Sequence, residues 1–270
     1  RSRAATSGRP PTSIGAAVTL SAAPMLVGGR PLVAARDLAT NLDVPLTWSD
    51  ATRTVTLGSS GGTTCVPDVA ASAFILMDVA TGAVLSEHNA RTPRAIASTT
   101  KVMTALLAVE QGNPDDVVTV SWNAASQPGT SVYLSSGEQR TLRELLYGLM
   151  LVSGNDAAVA IAEHLAGNVQ SFVDRMNEKA RSLGLTQTHF VDPNGLSDDN
   201  RVSANDLLKL VTSYANVHPE AMPYHAIKEF SYTAPGERPM APQFNRNRLL
   251  WSYPGTYGLK TGFTTKAGFN

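Results

Sequence analysis

The chain has 270 residues, 43% of them apolar and 16% charged, and its 22 basic residues balance 22 acidic ones. That balance suits a globular protein with a sizeable core, as one large domain or a large one plus a small one, and argues against disorder. It holds no basic block of the kind that binds nucleic acid and no apolar run long enough to span a bilayer, so neither class of surface is expected.

Residues 1–13, rich in Arg, Ser and Pro, read as a flexible tail. The block 14–58 carries its own signals. "AVTL" and "PMLV" read as strands, with Gly28-Gly29 turning into "RPLV". "AARDLATNL", with Leu38 and Leu42 four apart, reads as a short amphipathic helix. "PLTW", Ser49-Asp50 and "RTVTL" read as a hairpin, and a separate core is expected around Leu38, Leu42, Trp48 and Val55. The pattern "GGRPLVAARDLATNL…LTWSDATRTVTL" resembles the small N-terminal domain of copper amine oxidases, an accessory module on many secreted bacterial proteins. No copper site follows, because the block lacks histidine; a spacer or wall-binding module is the reading it supports. Residues 59–70, Gly/Ser/Thr-rich and interrupted by Pro67, read as a linker. The one cysteine, Cys65, lies there, which excludes an internal disulfide and a cysteine metal cluster. His88, His164, His189, His218 and His225 fall in no ligand spacing, so neither metal nor cofactor is expected.

After the linker, "FILMDV", a turn at Thr81-Gly82 and "AVLSEH" read as a hairpin. The apolar helix "RAIASTTKVMTALLAVEQG" follows. Thr141-Leu142-Arg143-Glu144 is a capping box opening "LRELLYGLMLV". "DAAVAIAEHLAG" and "VQSFVDRMNEKARSLG" are helices stopped by glycine, and Ser203 caps "DLLKLVTSYANV". "IKEFSYTA" and "TYGLKTGFT" read as late strands. A hairpin, a run of helices and then strands suggest an α/β (α+β) domain over 71–270, with a sheet fed from both ends and covered by helices.

Three short motifs stand out. Ser98-x-x-Lys101 occurs at the start of an apolar helix, where a lone match is best read as a helix cap and a solvated lysine. S-x-N occurs at Ser121, Ser153 and Ser203; the third is a cap, the first sits in an ordinary loop, and the second, Ser153-Gly154-Asn155, lies between two helices. Lys260-Thr261-Gly262 occurs once, in a strand-like segment whose glycine lets a ligand backbone approach. S-x-x-K, S-x-N and K-T-G in this order are the combination of penicillin-binding proteins and class A β-lactamases.

The flanks narrow the match. "SGNDAAVAIAEHLAG", "FVDRMNEKARSLGLTQTHFVDPNGL" and "NRNRLLWSYPGTYGLKTGFTTKAGFN" closely resemble the D-alanyl-D-alanine carboxypeptidases, low-molecular-weight penicillin-binding proteins of a serine peptidase family. The resemblance covers roughly residues 70–270. It implies a β-lactamase/transpeptidase-like fold, with an antiparallel sheet flanked by helices and an all-helical subdomain. It also implies an extracytoplasmic bacterial enzyme that acts on peptidoglycan stem peptides and is inhibited by β-lactam antibiotics. In that family the sheet continues past K-T-G and is often followed by a β-rich domain and a membrane anchor. Here the chain reaches Asn270 soon after Gly262, so an incomplete catalytic domain is expected, with any membrane anchor beyond residue 270. The missing start methionine and leader suggest a processed chain.

The chemistry suits these residue types. Serine needs a base within hydrogen-bond reach, and a helix brings Lys101 round to Ser98. Lysine is a base only when neutral, which burial, a nearby Lys260 and the helix N-terminus favour. Ser153 can relay a proton, and Asn155 can hold both Lys101 and the substrate amide. By resemblance, the backbone N–H groups of Ser98 and Phe263 form the oxyanion hole, Thr261 and Gly262 line the substrate strand, and Arg246 matches a family arginine that would meet the substrate carboxylate. Arg248 competes for that role. The alternatives are a D,D-endopeptidase, a β-lactamase and a catalytically silent wall-binding protein. Against the β-lactamase, "THFVDPNGLSDDN" offers Asp192, Asp198 and Asp199 but no glutamate to drive deacylation.

Overall fold

A computed structural model describes residues 70–231 and 242–270, together with the backbone of three strands, β1 (Ala16–Thr19), β2 (Leu46–Ser49) and β3 (Thr54–Leu57). The chain divides into two compact units, Arg1–Ala90 and Arg91–Asn270.

In the first unit β1, β3 and β2 form an antiparallel sheet in that order. The hairpin expected at Ser49-Asp50 is present, with Leu46 opposite Leu57 and Trp48 opposite Val55. "PMLV", the helix at Leu38 and Leu42, and Cys65 lie outside the described residues. β4 (Phe74–Met77) and β5 (Val84–His88) make the second expected hairpin. Its turn is closed by Asp78, whose carboxylate accepts the Thr81 N–H at 3.0 Å, and by Gly82 at φ +72°, which a side chain would resist.

The second unit is built on helices. They are α1 (Lys101–Gln111), α2 (Trp122–Ala125), α3 (Leu142–Leu151), α4 (Asn155–Ala166), α5 (Val169–Ser182), α6 (Ala204–Val217), α7 (Met222–Ala226) and α8 (Leu249–Ser252). α4 is the central one. Its small residues Ala157, Ala158, Ala160 and Ala162 are all buried, so α1, α2, α3 and α5 can pack on every side of it. Val102, Leu106 and Leu107 from α1, Leu145 and Leu149 from α3, and Phe172 and Met176 from α5 complete this core. Each such side chain contributes about 1.5–3 kcal/mol by leaving water. The expected stops are present: Thr141 and Glu144 form the capping box on α3, Ser203 caps α6, and Gly167, at φ +79°, ends α4.

Strand pairing in this unit is antiparallel, and it joins consecutive strands except where β6 meets β10. β6 (Arg94–Ala95) pairs with β10 (Arg201–Val202), which pairs with β9 (Thr188–His189). β7 (Val117–Thr119) pairs with β8 (Gln139–Thr141), β11 (Glu229–Phe230) with β12 (Gln243–Phe244), and β13 (Phe263–Thr264) with β14 (Gly268–Phe269). Two expectations change. The late strand over "TYGLKTGFT" begins its ladder only at Phe263, because among the described residues the preceding Lys260 and Thr261 have no strand opposite them. The loop expected at Ser121 is a short helix, α2, because the Ser121 hydroxyl accepts the Ala124 N–H at 2.9 Å.

The ladder of β6, β10 and β9 has one consequence for the site. β6 leads directly into Ser98, while β9 and β10 flank the segment 190–200. The pairing therefore fixes "VDPNGLSDDN" beside the serine.

Candidate active site

Ser98 lies in a 3₁₀ turn, Ala97–Thr100, that runs into α1. Ala97 has φ +48°, and two glycines press on the same turn. A Cβ on Gly195 would lie 2.0 Å from the Ala97 carbonyl oxygen, and one on Gly262 would lie 3.0 Å from the Ser98 nitrogen. Gly195 excludes a side chain, Gly262 leaves one only a tight fit, and between them they hold the Ser98 backbone.

Lys101, at the first residue of α1, is wholly buried. Its Nζ meets Ser98 Oγ at 3.0 Å, Asn155 Oδ1 at 2.7 Å, and the Asn194 carbonyl. The last two are acceptors only. In the neutral amine they take its two N–H groups and leave the lone pair facing the serine hydroxyl. Burial first, and then the charge of Lys260, push the Lys101 ammonium well below its ordinary range, so the neutral form is favoured.

Asn155 opens α4, and its preceding turn is strained. Ser153 has φ +68°, and its buried Oγ has no hydrogen-bond partner among the described residues. The segment 128–134 clamps this turn. Thr130 Oγ1 donates to the Ser153 carbonyl at 2.6 Å, the Asn155 N–H donates to the Thr130 carbonyl at 2.7 Å, and Asn155 Nδ2 donates to the Pro128 carbonyl at 2.7 Å. The buried Asp156 carboxylate takes the Ser131 hydroxyl and the N–H groups of Val132 and Leu134.

Lys260 faces the opposite side of the cleft. Its Nζ donates to the Thr261 carbonyl at 2.7 Å, and burial with the nearby Arg246 guanidinium lowers it to about 7, although part of the residue stays open to the pocket. Gly262 and Asn270 exchange two backbone hydrogen bonds of 2.9 Å. In an antiparallel ladder the next pair, Phe263 with Phe269, then points its N–H groups outward, so the Phe263 N–H faces away from β14. The other edge of this segment is the one that approaches the Ser98 nitrogen at Gly262.

A pocket of about 1070 Å³ opens between these walls. It is lined by Ser98, Ser153, Asn155, Lys260, Thr261, Gly262 and Phe263, and by Arg246 and Arg248. The structure thus brings together Ser98, Lys101, Ser153 and Asn155 with the three residues of K-T-G. Arg246 and Arg248 are both exposed at the pocket.

Several contributors were not singled out in the sequence. The Asn194 carbonyl reaches Lys101 only because Asp192 gathers the backbone: its carboxylate accepts N–H groups from Asn194 at 3.1 Å, Gly195 at 2.6 Å and Ser197 at 2.6 Å, and Nδ2 of Asn200 at 2.9 Å. Asp-Pro-Asn-Gly is a turn signal that could have marked it, as Pro-Gly could have marked residues 128–129. His225 lies behind K-T-G. It is buried, with Nδ1 3.3 Å from the Leu259 carbonyl and Nε2 3.1 Å from the Tyr214 hydroxyl, and desolvation lowers it to about 4. It is a neutral strut between α6 and the segment that carries Lys260.

The family model for D-alanyl-D-alanine carboxypeptidase matches residues 61–270. The carboxypeptidase DacF of Bacillus subtilis is 36% identical over 214 residues, covering 74% of this chain and 52% of that protein. DacD of Escherichia coli is 40% identical over 217 residues, covering 76% and 54%. The chain therefore spans about half the length of these relatives. Among solved structures, DacD of Francisella tularensis superposes with a TM-score of 0.71 at 30% identity, covering 75% of this chain and 62% of that one. A variant of a Streptomyces DD-transpeptidase superposes with a TM-score of 0.71 at 34% identity, covering 76% and 85%. The fold is that of the penicillin-binding proteins and transpeptidases.

Proposed function

The chain belongs to the D-alanyl-D-alanine carboxypeptidase family, and we propose that it is a serine-type D-Ala-D-Ala carboxypeptidase that trims peptidoglycan stem pentapeptides. The observation that carries this reading is the Lys101 nitrogen, desolvated and bonded to two acceptor-only oxygens with Ser98 Oγ as its third neighbour. Neutral Lys101 takes the Ser98 proton as Oγ attacks the carbonyl carbon of the penultimate D-alanine. The N–H groups of Ser98 and Phe263 hold the oxyanion; one such donor is worth about 3 kcal/mol in the transition state. The C–N bond then breaks, and the proton passes through Ser153 to the departing D-alanine amine. Water hydrolyses the ester and frees the serine. Thr261 and Arg246 hold the terminal carboxylate, and Asn155 orients the substrate amide as well as Lys101.

A class A β-lactamase uses a glutamate aimed at the deacylating water. Among the described residues no acidic side chain lines the pocket. Asp192 is engaged by its own loop, and Asp198 accepts the Thr264 hydroxyl at 3.1 Å. This favours the peptidase. We read 71–270 as the catalytic domain, 59–70 as a linker and 14–58 as an accessory module. The substrate places the protein outside the cytoplasm, in the wall or at the membrane, with β-lactams as inhibitors.

The test is a penicillin pulse on the full-length protein followed by intact-protein mass spectrometry. Penicillin's leaving group stays tethered and obstructs water, so an adduct on Ser98 should persist for minutes, and Ser98→Ala should abolish it. Rapid turnover without an adduct would favour the β-lactamase, and no acylation the silent wall-binding protein.

A further inference from the structure

Arg248 is a third cation on the pocket wall, and the reaction above leaves it unused. In "NRNR" the two asparagines are buried and the two arginines exposed. Asn245 Nδ2 donates to the carbonyls of His225 at 3.1 Å and Ile227 at 3.0 Å, and Asn247 Nδ2 donates to the Gly258 carbonyl at 3.2 Å. With the asparagine amides fixed inward, the side chains of Arg246 and Arg248 are left exposed at the pocket.

The two arginines are not equivalent. Arg246 depresses both Lys101 and Lys260, so its guanidinium stands within Coulomb range of the reacting groups. Arg246 lies in the bend before α8, whereas Arg248 has helical backbone angles and opens that helix. Among the described residues its guanidinium has neither an ion pair nor a hydrogen bond, and the pocket holds three cations against no acidic side chain. Phe244 and Leu249, 57% and 56% exposed, also line the pocket and offer apolar surface for the methylenes of an acidic residue.

We propose that Arg248 is a second anion anchor, by which the cleft selects acyl-D-alanyl peptides that carry a carboxylate besides the terminal one. The inference rests on the carboxypeptidase reading and names the substrate class within it. The second carboxylate can sit on the acyl side of the scissile bond or on the residue released; the chemistry of recognition is the same.

The experiment compares kcat/KM of the full chain for two peptide pairs. One pair differs in D-glutamate against D-glutamine on the acyl side, the other in D-glutamate against D-glutamine as the released residue. One charged peptide should be favoured over its amide by about fivefold at low salt, and the favoured pair identifies the side that Arg248 serves. The preference should fall to about one in Arg248→Gln, survive in part in Arg248→Lys, and shrink in about 1 M salt. Thermal melts of Arg248→Gln establish that it folds. Binding of the same labelled peptides to Ser98→Ala reads the anchor without turnover. Ratios near one in both pairs, or a preference that persists in Arg248→Gln, overturn the anchor while hydrolysis itself stands. Selective binding with no hydrolysis by the unmutated chain overturns the carboxypeptidase reading and leaves the anchor.

Discussion

On the floor of the cleft, Lys101 is wholly buried and meets Ser98, Asn155 and Asn194, while Gly195 and Gly262 close on the backbone of the serine turn. On the facing wall, Lys260 donates only to the carbonyl beside it in the chain, and the guanidinium groups of Arg246 and Arg248 have no hydrogen bond or ion pair among the described residues. The Lys101 site is satisfied before any ligand arrives, while Ser153 Oγ and the wall are not. The difference follows from what each must do. A base and an oxyanion donor act best when already oriented, because reorganisation in the transition state subtracts from the rate. A binding wall gains affinity by leaving cations that the ligand's own carboxylates complete.

The largest effect should come from breaking the floor at its centre. Lys101→Ala should slow acylation by penicillin about 100- to 10,000-fold, measured by quenched-flow mass spectrometry. It also strands Asn155 Oδ1 and the Asn194 carbonyl, each about 1–3 kcal/mol if water does not enter, so its melting temperature should fall. A variant that acylates at the normal rate would show that the floor is not the base.

Much of the floor was legible in the sequence, and the wall was less so. Ser98, Lys101, Ser153 and Asn155 on the floor, with Lys260 alone on the wall, are side chains in short spacings, and their order carries information. The capped helices around them follow 3.6-residue patterns, since α1, α3 and α4 make their own hydrogen bonds. Asn194 was not legible as a partner, because it acts through its carbonyl, and any residue has a carbonyl. Only the fold, through the β6–β10–β9 ladder, brings it to Lys101. The Tyr214–His225–Leu259 strut is likewise a product of packing between distant segments. In "NRNR" the alternation was visible, but which pair faced the pocket depended on where the asparagine amides found carbonyls.

A second, smaller perturbation tests whether the floor depends on close backbone approach. Gly195→Ala places a methyl 2.0 Å from the Ala97 carbonyl oxygen at φ +82°, and neither backbone can yield without moving Ser98. We expect a loss of about 2–4 kcal/mol in unfolding free energy by urea titration, and slowed acylation in the folded fraction. An unchanged stability would mean that the DPNG segment does not brace the serine turn.

The smallest effect reads the wall through the two lysines. Lys101 must be neutral to act as base, so kcat/KM rises as it loses its proton. We take Lys260, which adjoins Thr261, as a further charge for the carboxylate that counts only while protonated, so kcat/KM should fall as pH passes about 7 in the free enzyme. Arg246 lowers both groups by repelling their charged forms. Arg246→Gln removes that repulsion, both lysines bind protons more tightly, and both limbs move to higher pH. For an exposed guanidinium the displacement should be roughly half a pH unit, and less in high salt. Stability carries the same sign. A lysine at about 7 in the folded state and about 10.4 unfolded binds fewer protons when folded across that window, so stability rises with pH between those values and is lowest below about 7, where both states are charged. Arg246→Gln should flatten that rise. A pH–rate profile that loses amplitude without moving would mean that Arg246 touches substrate alone, and that the wall does not set the charge state of the floor.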